Sequence, residues 1–218
     1  MLDRGGAGPL RKPKVPERPL RYSRPVPGDR VQMDTCKIGK HLFQFTAVDD
    51  CTRLRVLAVY STRTAQNAVD FLIEHVLEEF PFPIQRIQTD RGAEFFGQVF
   101  QHALRENYIK FRPIRPGSPH LNGKVERSQQ TDRVEFWATV DVNVSDLEDQ
   151  LGLWQTFYNW HRPHTSLNGK TPMERFCELK DGTPFSWEVA EQYDPAKERF
   201  RAREYTLDQR ALKLKQPG

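Results

Sequence analysis

No stretch of this 218-residue chain approaches the roughly 20 consecutive apolar residues needed to span a bilayer, and its mean hydropathy is -0.72. That excludes a bundle of membrane-spanning helices and sets the expectation of no membrane partner. The opening residues, "MLDRGGAGPLRKPKVPERPLRYSRPVPGD", contain no apolar segment of the kind a secretory signal uses, so a cytoplasmic location is expected. Cysteine is scarce. Cys36, Cys51 and Cys177 lie far apart without C-x-x-C spacing, which argues against a thiolate zinc site or a disulfide framework and leaves them as small buried hydrophobes. No internal repeat is visible.

What is present suits a globular protein. Hydrophobic residues are 37% and aromatics 11%, enough for one sizeable core with appendages. The net charge is +4, which fits a polyanionic partner without requiring one. Its distribution says more. Residues 1–30 hold eight Lys or Arg against three acids in a Pro-rich segment that cannot fold alone. Such a segment is either a solvated linker or an arm along a phosphate backbone, each neutralised phosphate adding salt-dependent affinity. The expected division is a basic Pro-rich arm or linker at 1–28, a folded core at 29–177 and a charged extension at 178–218.

After residue 28, "RVQMDTCKI", "HLFQFTAVDD" and "RLRVLAVYS" read as three strands of an antiparallel meander. "TAQNAVDFLIEHVLEEF" follows with apolar residues at helical spacing, Thr64 as N-cap, and Pro81 and Pro83 as stops. "IQRIQT" is a strand, "EFFGQVFQHALREN" a helix and "IKFRPI" a strand, so the order is an antiparallel meander followed by β-α-β-α-β. That order demands an α/β fold with a mixed five-stranded sheet flanked by helices. A Pro/Gly/Ser/Asn loop then leads into a helix near "KVERSQQTDRVEFWATV". Another helix is expected over "VSDLEDQLGLWQTFYNWH", capped by Ser145 with Glu148 three later.

Three acids fall in unusual places. Asp34 lies inside the first strand, where Asp is disfavoured; Asp90, in "TDRGAEF", ends the fourth; and Glu126 opens the helix after the Gly-rich loop. If the first and fourth strands are neighbours, Asp34 and Asp90 face each other and the helix brings Glu126 over them. Such a cluster repels itself unless a cation is present, and a hard divalent ion held by oxygen ligands resolves this. Singly, each acid has a plain account: an edge residue, an Asx turn or helix cap, an exposed helix position. Asp49-Asp50 reads as an acidic turn between strands, Glu94 as a helix N-terminal acid, and Trp154, Phe157, Tyr158 and Trp160 as core aromatics.

Together, "QMDT", "TDRGAEF", "SPHLNGKVER" and "YNWHRPHTSLNGKTPMERF", in this order and with 35 residues between Asp90 and Glu126, resemble the catalytic core of DDE transposases and retroviral-type integrases, in particular the bacterial insertion-sequence branch. The resemblance covers about Arg30 to Phe176. It implies an RNase H-like fold and a DDE-type polynucleotidyl transferase carrying out metal-dependent strand cleavage and strand transfer in DNA transposition. It also implies that Asp34, Asp90 and Glu126 are catalytic and hold Mg2+, with Mn2+ as substitute and two ions when DNA is bound. Arg133, one face with Glu126 and with Gln130 between them, matches a DNA-end contact of the family; Lys124 and Arg127 are expected to reach phosphates from the flanks. Asn122 and Gly123 match a mobile active-site loop. Implied partners are DNA, as element ends and target, and a homodimer or higher assembly in a bacterial cytoplasm. Where the family most often has Asp-Asn-Gly, this chain has Asp90-Arg91-Gly92, which puts the usual local amide hydrogen bond in question.

A second reading is an inactive, truncated DNA-binding remnant or regulatory fragment. Members of this branch usually carry helix-turn-helix domains ahead of the core, and only a basic, Pro-rich segment of about 30 residues precedes the first strand here. A separate helix-turn-helix partner protein would then supply base readout.

Overall fold

The computed structural model describes residues 23–115 and 119–201. Most of the basic arm expected at 1–28 therefore lies outside the described residues, as does the C-terminal stretch from residue 202.

The three runs of the meander form β1 (Val31–Gly39), β2 (Leu42–Asp49) and β3 (Arg55–Tyr60), paired antiparallel in succession. β4 (Arg86–Thr89) returns parallel to β1, and β5 (Lys110–Phe111) adds parallel to β4. The sheet order is β3-β2-β1-β4-β5, with β1 central. This is the mixed sheet expected from the element order.

Its two faces differ because strand side chains alternate. One face carries Val31, Met33, Phe45, Ala47, Val56, Ala58 and Ile87, all buried in the main core. Helix α1 (Ala65–Asp70), a π-helical stretch (Phe71–Val76) and α2 (Leu77–Glu79) continue one another across it, contributing Ala68, Phe71, Leu72 and Val76. Thr64 caps α1 as expected, accepting from the Asn67 amide at 3.1 Å. The mid-helix π stretch has no signal in the sequence.

The helix expected over "EFFGQVFQHALREN" is two helices, α3 (Ala93–Phe96) and α4 (Gln98–Glu106). Gly97 breaks them with extended backbone (φ -60°, ψ 139°), and a Cβ there would stand 2.4 Å from the Ala65 Cβ. The break lets α1 approach both helices closely.

The opposite sheet face is polar along β1 and β4, carries Leu57 and Val59 on β3 in a small apolar cluster with Phe136 and Leu151, and is covered by α5 (Gly123–Glu135) and α6 (Leu147–Trp160). α6 begins after Asp146, which makes no side-chain cap bond, so the expected Ser145 cap is not formed. α6 is held instead from its side. Asn159 accepts from the Arg55 amide (3.0 Å) and donates to the Arg55 carbonyl (2.8 Å), and Gln155 accepts from the Leu57 amide (2.5 Å). These bonds satisfy backbone groups that edge strand β3 would otherwise expose. Beyond α6 come α7 (Pro172–Leu179), closed by a Thr171/Glu174 capping box, and α8 (Ser186–Glu191). The chain then returns to the β5 edge, where Glu198 takes a bidentate pair from Arg112 at 2.7 and 2.8 Å. No helix among the described residues is long and apolar enough to cross a membrane.

Candidate active site

On β1, Gln32 and Asp34 point to the polar face. On β4, the parallel register sets Gln32 beside Gln88 and Met33 beside Thr89, so the next step brings Asp34 level with Asp90, the residue after the strand. The expected adjacency of first and fourth strands follows. Asp34 accepts from the Thr35 amide (2.8 Å) and from Asn122 Nδ2 (3.2 Å). Burial, then the charge of Asp90, then those of Glu126 and Glu94, push its carboxyl up to about 7 against the Thr35 bond. The field at Asp34 is that of several acids without enough positive charge.

Glu126 is exposed in the first turn of α5, and the residues around it are tied down at four points. Gln88 Nε2 donates to the Leu121 carbonyl (2.7 Å), Asn122 reaches Asp34, Lys124 Nζ meets Asp50 Oδ1 (2.5 Å), and the Val125 amide donates to Gln32 Oε1 (3.3 Å). Gln32 and Gln88 thus lie two residues before Asp34 and Asp90, on the same face, and grip the start of the helix that carries Glu126.

Asp49 and Asp50 are not an exposed acidic turn. Both are fully buried. Asp49 accepts from the amides of Gly28, Cys51 and Thr52 and from the Thr52 hydroxyl, closing the turn after β2. Burial pushes the Asp50 carboxyl up, but Lys124, Arg30 and the Arg24 amide outweigh it and hold it below the usual carboxylate range. Lys124 is pushed down to about 8 by burial and by Arg53. The structure therefore turns Lys124 inward onto Asp50 rather than outward on the flank of the helix.

Glu94, read from the sequence as a helix N-terminal acid, is buried behind Asp34, accepting from the Thr35 hydroxyl (2.5 Å) with Arg63 Nε at 3.6 Å. Gly92 has ordinary negative φ, and a Cβ there would stand 2.7 Å from the Glu94 carboxylate, which would have to move aside. Arg91 does not cost the turn its local bond, since the Gly92 amide donates to Asp90 Oδ1 at 2.7 Å while Arg91 Nε donates to the Ile114 carbonyl.

Arg127, Gln130 and Arg133 are exposed on α5 along with Glu126. The buried side of that helix presents Ser128 and Asp132 to Arg55, at 3.0 and 2.5 Å. Gly123 starts the helix with open space around it, and Asn122 is buried on Asp34. Of the aromatics expected in the core, Trp154 and Tyr158 pack inward while Phe157 and Trp160 are exposed. Arg162 makes a bidentate pair with Glu135 (2.6 and 2.9 Å), tying the loop after α6 to the end of α5.

A hard cation such as Mg2+ keeps several waters and takes only one or two protein carboxylates. Among the described residues no three acidic, His or Cys side chains are grouped so that they could hold a metal ion, so Asp34, Asp90 and Glu126 are not brought together as a three-carboxylate cluster. Asp34, its carboxyl raised by burial and by the charges of Asp90, Glu126 and Glu94, is the acid at this end of the sheet best suited to a cation, and Asp90 directly follows the adjoining strand.

A sheet ordered β3-β2-β1-β4-β5, with helices on both faces and acids at the junction of its central parallel strands, is an RNase H-like α/β protein. Two sequence models of the integrase core domain match, one over residues 24–119 and one over 107–172, together more than half of the chain. The chain belongs to the family of retroviral-type integrases and insertion-sequence transposases. It is 29% identical over 153 residues to a protein named as an integrase, ORF3 of Spiroplasma virus SpV1-C74, covering 62% of this chain and 42% of that protein. It is 25% identical over 167 residues to InsK, named as a transposase of IS150 in Escherichia coli K12, covering 74% of this chain and 58% of that protein. The chain thus spans about half the length of the curated relatives it matches. Its fold is that of the BIV integrase catalytic core, with a TM-score of 0.58 at 20% identity over 71% of this chain and 97% of that one. The HTLV-2 integrase catalytic core, solved in complex with magnesium, has a TM-score of 0.57 at 18% identity over 68% of this chain and 96% of that one.

Proposed function

We propose that the chain is the catalytic core of a transposase that cleaves DNA strands and transfers element ends to target DNA. The observation that carries this reading is that Asp34 on β1 lies level with Asp90, which directly follows the parallel neighbour β4, with Glu126 on a helix start gripped from those same two strands. Asp34 and Asp90 would hold the divalent ion, and Glu126 would complete the site when DNA is present. The ion, when bound, supplies charge stabilisation at the phosphate and lowers the pKa of a bound water or hydroxyl. The chain's own residues do the rest. Asn122 orients the Asp34 carboxylate, Gln32 and Gln88 fix the height of α5, and Arg127, Gln130 and Arg133 offer donors and charge to the DNA end. Two element ends are transferred together, so an assembly of at least two copies on DNA follows from the reading.

Support comes from the family membership, from the acidic field at Asp34, and from the HTLV-2 core solved in complex with magnesium. The test is Mn2+ titration by calorimetry of the wild type, Asp34→Asn and Asp90→Asn, with nicking of an end-containing duplex measured in parallel. The reading predicts a metal-binding isotherm and metal-dependent nicking in the wild type and loss of both in either variant. Nicking retained by Asp90→Asn would remove the assignment.

A further inference from the structure

On the β5 side of the carboxylates lies a groove of about 530 Å³ lined by Arg91, Phe96, Pro113, Lys197, Arg199, Phe200 and Arg201. It begins one residue from Asp90, and its floor is continuous with the strand ends. Ile114, which follows Pro113, donates its amide to the Thr89 carbonyl (2.9 Å) and receives Arg91 on its own carbonyl. β1, β4 and β5 run parallel, so Asp90 and Pro113 leave the sheet at the same end, the end at which open α/β sheets bind ligands.

The outer wall is built rather than draped. Glu198 is buried on Arg112, and the Arg201 backbone is read twice by Gln101, whose Oε1 accepts from the amide (2.7 Å) and whose Nε2 donates to the carbonyl (3.0 Å). This pinning leaves Arg199 and Arg201 exposed at the rim, and among the described residues neither is in an ion pair. Lys197 is offset by Asp194 at 3.0 Å. Phe96 and Phe200 add two rings, the latter beneath Arg105 at 4.6 Å. Two exposed arginines that make no ion pair among the described residues, carried on a wall held by Gln101 and Arg112, suit the phosphate backbone of DNA. The exposed cations of α5 stand on the other flank, since α5 packs on β1 and β2.

We propose that this groove is a second DNA-binding surface, and that DNA crosses the carboxylates between two cationic flanks, α5 on one side and the Arg199–Arg201 strap on the other. The proposal rests on the reading of the chain as a DNA strand-transfer core. The test measures binding of the full chain to a labelled duplex and to relaxed circular DNA over a KCl series, without metal. The variants are Arg199→Ala/Arg201→Ala, Arg199→Lys/Arg201→Lys, and Lys37→Ala/Lys180→Ala, which removes two charges that do not line the groove.

With about 0.9 of log-log salt slope per phosphate contact, the double alanine variant should flatten the slope by about 2. The lysine variant should keep most of it, and the control should keep all of it. A loss confined to the duplex assigns the groove to the element end, and a loss on circular DNA assigns it to target. An unchanged slope in the double alanine variant, while the wild type binds, overturns the groove and leaves the catalytic reading standing. A wild type that binds neither DNA overturns both.

Discussion

Arg55 and Asp132 are both without solvent contact, 2.5 Å apart, between β3 and α5. The guanidinium lies over the Tyr158 ring at 3.4 Å, and Asp132 also accepts from Gln44 (2.7 Å) and Trp154 Nε1 (2.7 Å). Removing one partner leaves a buried unpaired charge, so Asp132→Leu should destabilise the fold by about 3–5 kcal/mol, read as a lower urea midpoint. Asp90→Asn and Glu126→Gln should behave oppositely, since both residues are exposed: catalysis lost, with far-UV circular dichroism and DNA affinity near wild type. The family motifs and their spacing single out the three acids in the sequence, and the structure sets Asp34 level with Asp90. The buried polar residues were not legible there. Gln32 and Gln88 each precede one of the two aspartates by two, a period-two signal in plain view, but nothing local says that a strand glutamine will grip a helix start. Asp49-Asp50 resembles a solvated turn until Arg30 and Lys124, distant in sequence, are folded onto it.

Elements were legible where one chemistry decides them, as with Thr64 capping α1 and Pro81 ending the helical run. They were missed where packing decides. Gly97 splits a periodic segment because α1 needs its surface; Gly97→Val should cost about 1–3 kcal/mol through overpacking against Ala65, seen as a lower Tm without loss of the fold. Ser145 yields to a start at Leu147 because Gln155 and Asn159 anchor α6 on β3. The loop after α6 adds a pH effect. His164 is buried against Tyr158, and burial, with Arg162 and Arg55 nearby, pushes its imidazole down to about 4. Unfolded, it takes up a proton near the ordinary value of 6.5; folded, it resists until about 4. The unfolded state therefore binds more protons between these values, and stability falls as pH drops through that window. A Tm series from pH 7 to pH 4 should show a steeper decline in the wild type than in His164→Gln.

For the molecule as a whole, the meander followed by β-α-β-α-β was enough to give the mixed sheet, and the neighbouring of β1 and β4 was the one topological guess on which the site depended. The polar character of the α5 face was the part that sequence reading passed over. Alternation along "VQMDT" puts Gln32 and Asp34 on one face, and only the register with Val48, Thr46 and Gln44 on β2 shows how much of that face is hydrophilic. A sheet face that sacrifices apolar burial for hydrogen-bonded glutamines and acids is suited to holding a helix at fixed height over carboxylates. The central claim is that this arrangement joins DNA. The direct measurement incubates the purified chain with a pre-cleaved donor-end oligonucleotide and a plasmid target, with Mg2+ or Mn2+, beside Glu126→Gln. The account predicts metal-dependent joined product from the wild type and none from the variant. Equal joining by both, or none from a folded wild type that binds metal and DNA, would contradict it.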